Sequence, residues 1–261
     1  MIELEPIRNF LIVFGVSIVR VTAACSVVPF MSSQLIQARV RNSLVFSWGI
    51  IVYPIVAPTL GDELGSALTL TAIIVKEIVI GILVGFLAAK MFWVAMSVGF
   101  FIDNQRGSSM ASVFDPTSGE QTSPFGLFLQ QTLIVLFYTS GGFLVFLGGL
   151  FESYLIWPID SFYPQFADAF PGFFLDVVDD MMLTVVVLAA PVIITVFIAE
   201  FGLGLMNRFA PQLNVFVLAM PVKSLVAMIV LVIYLPLLLV MFQDELIEEG
   251  RVLELLKGIF A

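Results

Sequence analysis

The chain has 261 residues, of which 60% are hydrophobic and only 12% are charged. A single globular core of this length cannot bury so much apolar surface, so the expected environment is a membrane. The formal net charge of −9 excludes a basic face for nucleic acid. The chain has no histidine and one cysteine, so neither a histidine base, a disulfide nor a cofactor or metal site is expected.

Six apolar runs are each close to the length of a membrane-spanning helix. About 20 apolar residues cross the hydrocarbon core as a helix, and runs that do not alternate with period two favour helices over barrel strands. We therefore predict an all-α, polytopic membrane protein whose first run is an uncleaved helix. The runs are 10–30, 43–60, 68–90, 124–151, 181–206 and 213–242. The amphiphilic residues 91–102 continue the third run or form a separate short helix.

Positive charges alternate between the links that join these runs. Links one, three and five carry Arg39 with Arg41, Lys90 with Arg106, and Arg208. Links two and four, residues 61–67 and 152–180, carry acids and no cation. The positive-inside rule then predicts that the odd links are cytoplasmic and that both termini are extracytoplasmic. Aromatic residues and prolines beside the acids of 152–180 predict an interfacial loop with short helices, either a belt or a docking surface for an extracytoplasmic partner.

Several charges lie deep within the apolar runs. A charge at mid-membrane costs about 2.5–3.5 kcal/mol on insertion scales, so it needs a partner or a function. Lys90 and Glu200 lie near run ends and are expected to snorkel. Lys76 and Glu77 are about 100° apart on a helix and are not expected to pair with each other. Structural ion pairs and a proton or ion relay remain the alternatives. The predicted assembly or inter-helix polar contacts are Arg20, Lys76, Glu77, Glu200 and Lys223.

Prolines and glycines modify several of the runs. Gly81 and Gly85 form a G-x-x-x-G pattern, which favours close helix contact. Five prolines are predicted to kink their helices and to require neighbours that satisfy the freed carbonyls. These are Pro54, Pro58, Pro191, Pro221 and Pro236. Such short, kinked and charge-bearing helices are typical of a chain surrounded by other subunits.

Residues 103–123, DNQRGSSMASVFDPTSGEQTS, form a polar segment between two apolar runs. Such a segment must face water, line an aqueous path or be covered by protein. No Walker loop, G-x-S-x-G or H-E-x-x-H motif occurs in the chain, and the serines have no base to activate them. We therefore do not expect an enzyme.

Two longer strings carry a family resemblance. GFFIDNQRGSSMASVFDPTSGEQTSPFG at 99–126 and RFAPQLNVFVLAMPVKSL at 208–225 resemble the central loop and the late motif of the SctT/FliR family. That family comprises membrane proteins of the type III secretion export apparatus. GSSMASVFDP and EQTSP are more similar to the virulence, or injectisome, type than to the flagellar type. Six spans and the chain length agree with the family.

The resemblance implies a place in an assembly at the bacterial inner membrane. Family members join about five SctR-like and about four SctS-like subunits in a helical, cone-like hetero-oligomer that serves as a conduit. Residues 1–180 correspond to an SctR-like part and 181–261 to an SctS-like hairpin with a C-terminal tail. Further implied partners are an SctU-like switch protein, inner-rod or needle proteins, and unfolded secreted substrates.

The same resemblance implies a plug loop at 106–122 that seals the conduit at rest. Its implied residues are Arg106, Gly107, Met110, Val113, Phe114, Asp115 and Pro116. The implied cytoplasmic turn consists of Arg208, Pro211, Gln212 and Asn214. Three rival functions remain at this point: a stand-alone permease or secondary transporter, a membrane scaffold without a conduit, and the flagellar member of the same family.

Overall fold

The computed structural model describes residues 4–60, 67–107, 123–161, 170–209 and 215–260. Within these ranges the chain forms seven α-helices, one turn of 3-10 helix at Pro29–Met31, and no strand. The helices are α1 (Leu4–Val27), α2 (Ala38–Leu60), α3 (Ala67–Gln105), α4 (Pro124–Thr139), α5 (Gly142–Ile156), α6 (Phe170–Phe209) and α7 (Val215–Phe260). The predicted all-α class is confirmed.

The predicted number of spans is also confirmed. Five helices are long and apolar enough to cross a membrane, and the bent pair α4–α5 raises the number to six. The run 124–151 differs from a straight span, because it is divided into two helices with a break at residues 140–141. Gly141 lies at the break with φ of 81°, a left-handed conformation that glycine adopts without steric cost.

Helix α3 is continuous from Ala67 to Gln105, so residues 91–102 do not form a separate helix. Lys90 therefore lies in the middle of a long helix, where it is buried. This corrects the expectation that Lys90 snorkels at a helix end.

Helix α7 has 46 residues and is about 69 Å long, whereas the hydrocarbon core is about 30 Å thick. A large part of α7 must therefore lie outside the hydrocarbon core.

The chain divides into two compact units. Unit 1 comprises residues 1–90, 141–173 and 247–261, and unit 2 comprises 91–140 and 174–246. The division at residue 180 that the family resemblance implies stays a prediction.

In unit 1, α1 packs along α2 and approaches α3 closely at two glycines. A Cβ atom at Gly81 would overlap the Arg20 carbonyl oxygen, and one at Gly85 would lie 2.7 Å from the Ala24 carbonyl oxygen. The G-x-x-x-G pattern thus marks a true helix contact. An aromatic cluster extends the core, with the Phe30 and Phe146 rings 5.2 Å apart in an edge-to-face arrangement.

Unit 2 contains a second core along the other half of α3. The Phe92 and Phe137 rings pack edge to face at 5.3 Å, and Leu129 and Leu133 of α4 are buried beside them. The backbones of Gly99 and Gly126 approach so closely that a Cβ atom at Gly99 would overlap Gly126. This contact holds the beginning of α4 against the C-terminal part of α3.

The predicted prolines and the acidic, aromatic segment lie partly within long helices. Helices α2, α6 and α7 continue through all five prolines, Pro54, Pro58, Pro191, Pro221 and Pro236. Residues 152–156 end α5 and residues 170–180 begin α6, so the predicted loop is helical at both ends. Tyr154 and Trp157 are buried in unit 1, not displayed as a surface belt.

Candidate functional site

The two ends of the polar segment are joined by a buried carboxylate. Asp103, in the last turn of α3, is only 3% exposed. Its Oδ2 accepts hydrogen bonds from Ser123 Oγ at 2.6 Å and from the Phe125 backbone N–H at 3.0 Å. Its Oδ1 accepts from Arg106 Nε at 2.7 Å and forms a salt bridge with Arg106. We call Asp103, Arg106, Ser123, Phe125 and Gly126 the clasp.

Local sequence explains the geometry of the clasp. Gly107, with φ of 92°, adopts the left-handed conformation that commonly ends a helix. Ser123 caps the N-terminus of α4 by accepting from the Gly126 N–H at 3.0 Å, and Pro124 occupies the first helical position. The Arg106 guanidinium lies 4.5 Å from the centre of the Phe125 ring, in a cation–π contact.

The clasp holds the chain before residue 108 and the chain after residue 122 at one place. Charge-assisted hydrogen bonds of this kind contribute about 1.5–3 kcal/mol each. Among the predicted plug residues, Arg106 belongs to the clasp, and Gly107 is the next residue along the chain. Met110, Val113, Phe114, Asp115 and Pro116 lie outside the described residues.

Sequence reasoning missed Asp103, Ser123 and Phe125 as functional residues. A signal for part of the site was present: Ser-Pro before an apolar run is an N-cap followed by proline at the first helical position. The remote partner Asp103 has no such signal, since it is 20 residues away in the chain.

A second polar cluster lies in the core of unit 1. Arg20 of α1 and Glu77 of α3 form a two-pronged pair, with Nε–Oε2 of 2.7 Å and Nη2–Oε1 of 2.9 Å. Both side chains are fully buried. Arg20 also donates to Ser153 Oγ at 3.1 Å and to the Trp157 carbonyl oxygen at 2.9 Å, and it stacks over Tyr154 at 4.0 Å.

Lys76 extends this cluster to the chain that follows α5. Its Nζ donates to the carbonyl oxygens of Pro158, Ile159 and Ser161 at 3.0, 2.7 and 3.1 Å. It also lies 3.3 Å from Glu77 Oε1, so the prediction that Lys76 and Glu77 do not pair is wrong. Arg20 and Glu77, which lie on different helices, are partners of each other.

The cluster, Arg20, Lys76 and Glu77 with their partners, is arranged to hold helices together. Each charge has a partner of opposite sign or a set of oxygen acceptors, which offsets much of the cost of burial. The described residues contain no group of three or more His, Cys, Asp or Glu side chains able to hold a metal ion. Of the two alternatives, this geometry favours the structural ion pair over a relay.

Unit 2 contains a further ion pair between α6 and α7. Lys223 Nζ lies 3.0 Å from Glu200 Oε1, with the lysine side chain 12% and the glutamate side chain 46% exposed. Glu200 was expected to snorkel from a run end. It also has a partner within the chain, Lys223. Arg208 is exposed in the last turn of α6. Pro211, Gln212 and Asn214 of the predicted cytoplasmic turn lie outside the described residues.

Comparison with known proteins adds independent information. A family model described as bacterial export proteins, family 1, matches residues 11–248. The chain is 46% identical over 231 residues to the Yop proteins translocation protein T of Yersinia pestis, with 88% of each chain covered. It is 32% identical over 238 residues to the secretion system apparatus protein SsaT of Salmonella typhimurium, covering 89% of this chain and 90% of that protein. It is 28% identical over 262 residues to the flagellar biosynthetic protein FliR of Bacillus subtilis, covering 99% and 98%.

Proposed function

The chain belongs to family 1 of the bacterial export proteins, and from this membership we propose that it forms part of a type III secretion export gate. It is a multi-pass inner-membrane protein of the injectisome type. In the proposed role it lines part of the conduit that carries unfolded proteins across the membrane. Residues 106–122 are the proposed plug that seals this conduit at rest.

The observation that carries the plug proposal is the clasp. A polar segment between two apolar helices has to be shielded from lipid. Asp103 binds both Arg106 before the segment and Ser123 after it, so the segment leaves and re-enters the helical part at one point. A loop whose two ends are held together at its base is suited to occupy a lumen and to move aside without disturbing the helices.

Exposed apolar surface supports the proposal of partner subunits. Phe197, Phe201 and Phe209 on α6 and Ile233 on α7 are each more than half exposed. Soluble monomers rarely display so many large apolar side chains, so lipid or other subunits must cover them. Membership of the export apparatus implies other export subunits, and we propose SctR-like and SctS-like proteins. An SctU-like protein, rod or needle proteins and unfolded substrates complete the proposed set.

The proposed mechanism is passive. The charged groups of the two described clusters are bound to one another, to carbonyl oxygens, or to the hydroxyl and N–H groups that join helices. Ser123, which donates to Asp103, also caps the N-terminus of α4. The chain thus supplies a path and a seal, while the energy for transport comes from other components.

A permeability assay tests the plug. Deleting 108–118 is expected to leave the complex assembled and to make the membrane leaky to ions and small dyes, because the clasp and all described helices remain. A full-length variant, Met110→Ser with Val113→Ser and Phe114→Ser, is expected to leak as well, since it removes the apolar bulk. Dye release and membrane potential are measured in cells, with assembly checked by copurification.

The matched control changes polar residues of the same segment, Ser108→Ala with Ser109→Ala and Thr117→Ala, and should stay sealed. An assembled deletion variant with unchanged permeability would contradict the plug. A stand-alone permease would instead work without the proposed SctR-like and SctS-like subunits. Copurification of these subunits in a fixed ratio with the chain would therefore separate the two functions. The higher identity with the secretion-system relatives than with the flagellar one favours the injectisome type.

A further inference from the structure

A groove on unit 1 has an apolar body and a cationic end. It has a volume of about 540 Å³ and lies between α1, α2 and the first half of α3. Ile74, Ile78 and Ile82, one helical turn apart on α3, form one apolar wall. Arg41 and Asn42, near the beginning of α2, form the polar end of the lining. The volume is within the range of about 300–1,000 Å³ that is typical of ligand sites.

Arg41 is the cation of this groove. It is half-buried, and none of the described carboxylates forms a salt bridge with it. The first turn of α2 contains no acid, so Arg41 adds its charge to the positive end of the helix dipole. A cation is unfavourable there unless an anion binds nearby. The hydroxyls of Thr22 and Ser26, which also line the groove, are already bound to carbonyl oxygens of their own helix.

The groove has the length of one membrane leaflet. On α1 it extends from Gly15 to Ser26, which corresponds to about 16 Å of helix. Half of the hydrocarbon core is about 15 Å thick. Arg41 lies two residues from Arg39 on the link that the positive-inside rule assigns to a membrane surface. The polar end thus lies where lipid headgroups are found, and the apolar body lies where acyl chains are found.

The chemistry of the lining favours a lipid as the occupant. An anionic phospholipid carries a phosphate at the headgroup level and hydrocarbon chains below it. The groove presents one cation at its end and aliphatic side chains along its length. A protein segment that covered the groove instead would leave no preference between two lipids with the same acyl chains.

We propose that this groove binds one anionic phospholipid, with an acyl chain along Gly15 and the isoleucine wall and the phosphate at Arg41. The proposal is independent of the plug, since all of its residues belong to unit 1 and none belongs to the clasp. A bound lipid would fill the space that the packing of α1, α2 and α3 leaves open.

Native mass spectrometry of the protein, purified with its copurifying subunits in mild detergent, tests the proposal. Phosphatidylglycerol and phosphatidylcholine with identical acyl chains are titrated separately, and the fraction of lipid-bound protein is measured. Phosphatidylglycerol is expected to bind about tenfold more tightly, the factor for one charge-assisted hydrogen bond. Arg41→Gln should remove this preference. Arg39→Gln, an exposed arginine outside the groove, should retain it.

A second pair of variants tests the apolar body. Gly15→Leu should abolish binding of both lipids, because a Cβ atom at Gly15 meets open space and the larger side chain would enter the groove. Gly148→Leu, at an equally open glycine of α5 outside the groove, should bind both lipids normally. Equal binding of the two lipids by the unmodified protein, or equal loss in Arg41→Gln and Arg39→Gln, would overturn the proposal. Displacement of phosphatidylglycerol by inorganic phosphate alone would overturn it too, since the acyl groove would then have no part in binding.

Discussion

At the scale of single residues, the molecule is organised by buried charges that are fully paired. Arg20 binds Glu77, Ser153 and the Trp157 carbonyl, and thereby joins α1, α3 and the end of α5. A buried pair of this kind adds little net stability compared with apolar residues, but its disruption leaves one uncompensated charge. The role of the cluster is therefore to specify how these three helices meet.

The buried pair predicts an asymmetric response to mutation. Glu77→Gln should destabilise the protein by about 3–5 kcal/mol, because Arg20 remains fully buried without a counter-charge. The matched control is Glu200→Gln, whose carboxylate is 46% exposed in its pair with Lys223 and should cost about 0–1 kcal/mol. Thermal unfolding of the purified protein measures both. The double change Arg20→Met with Glu77→Leu should recover part of the stability lost in Glu77→Gln. If Glu77→Gln and Glu200→Gln destabilise the protein equally, the buried pair does not specify how the helices meet.

The sequence predicted which residues needed partners but not which partners they find. Arg20 and Glu77 stand out because a charge in an apolar run is costly. Their contact spans 57 positions, and that of Arg20 with Ser153 spans 133, so neither has a local pattern. The wrong prediction for Lys76 and Glu77 arose from the Cβ directions alone. A lysine stem is flexible enough to bring its ammonium back to a neighbouring carboxylate.

At the scale of elements, α3 carries much of the packing in both units. Its glycines at 81 and 85 face α1, and its Gly99 faces the beginning of α4. Its first half provides Lys76 and Glu77, and its last turn provides Asp103. The hydrophobic pattern predicted this helix, but its end at Gln105 depends on the Asp103 contacts and on Gly107, which composition does not reveal. The bend at Gly141 was missed for a related reason, since glycine is also common inside membrane helices.

The glycine contacts predict that a single added methyl group separates two helices. Gly81→Ala should destabilise the protein by about 1–3 kcal/mol, because its Cβ atom would overlap the Arg20 backbone, which the buried cluster prevents from moving. Gly202→Ala on α6, where a Cβ atom meets nothing within 4 Å, should be neutral or stabilise by up to about 1 kcal/mol through helix propensity. Thermal unfolding compares the two variants. A neutral Gly81→Ala would show that α1 and α3 do not pack as closely as described.

At the scale of the whole molecule, a polar segment joins two long apolar stretches of the chain, and the two ends of this segment share one carboxylate. The fold class, the number of spans and the family follow from hydropathy and from two motifs. The clasp and the lipid groove do not, because each depends on residues that only folding brings together. The proposed seal rests on the clasp and on family membership, and its central claim is that the segment around Met110 faces the path of the exported chain.

Site-specific photo-crosslinking tests this claim most directly. A photoreactive amino acid replaces Met110 in cells that export a substrate fused to a domain too stable to unfold, so that the substrate stalls in transit. The matched control places the same amino acid at Leu144, an apolar residue of α5 that is 72% exposed. We predict a crosslink from position 110 to the stalled substrate and none from position 144. Crosslinks from position 110 only to lipid or to proteins outside the conduit, with the substrate demonstrably stalled, would contradict the account.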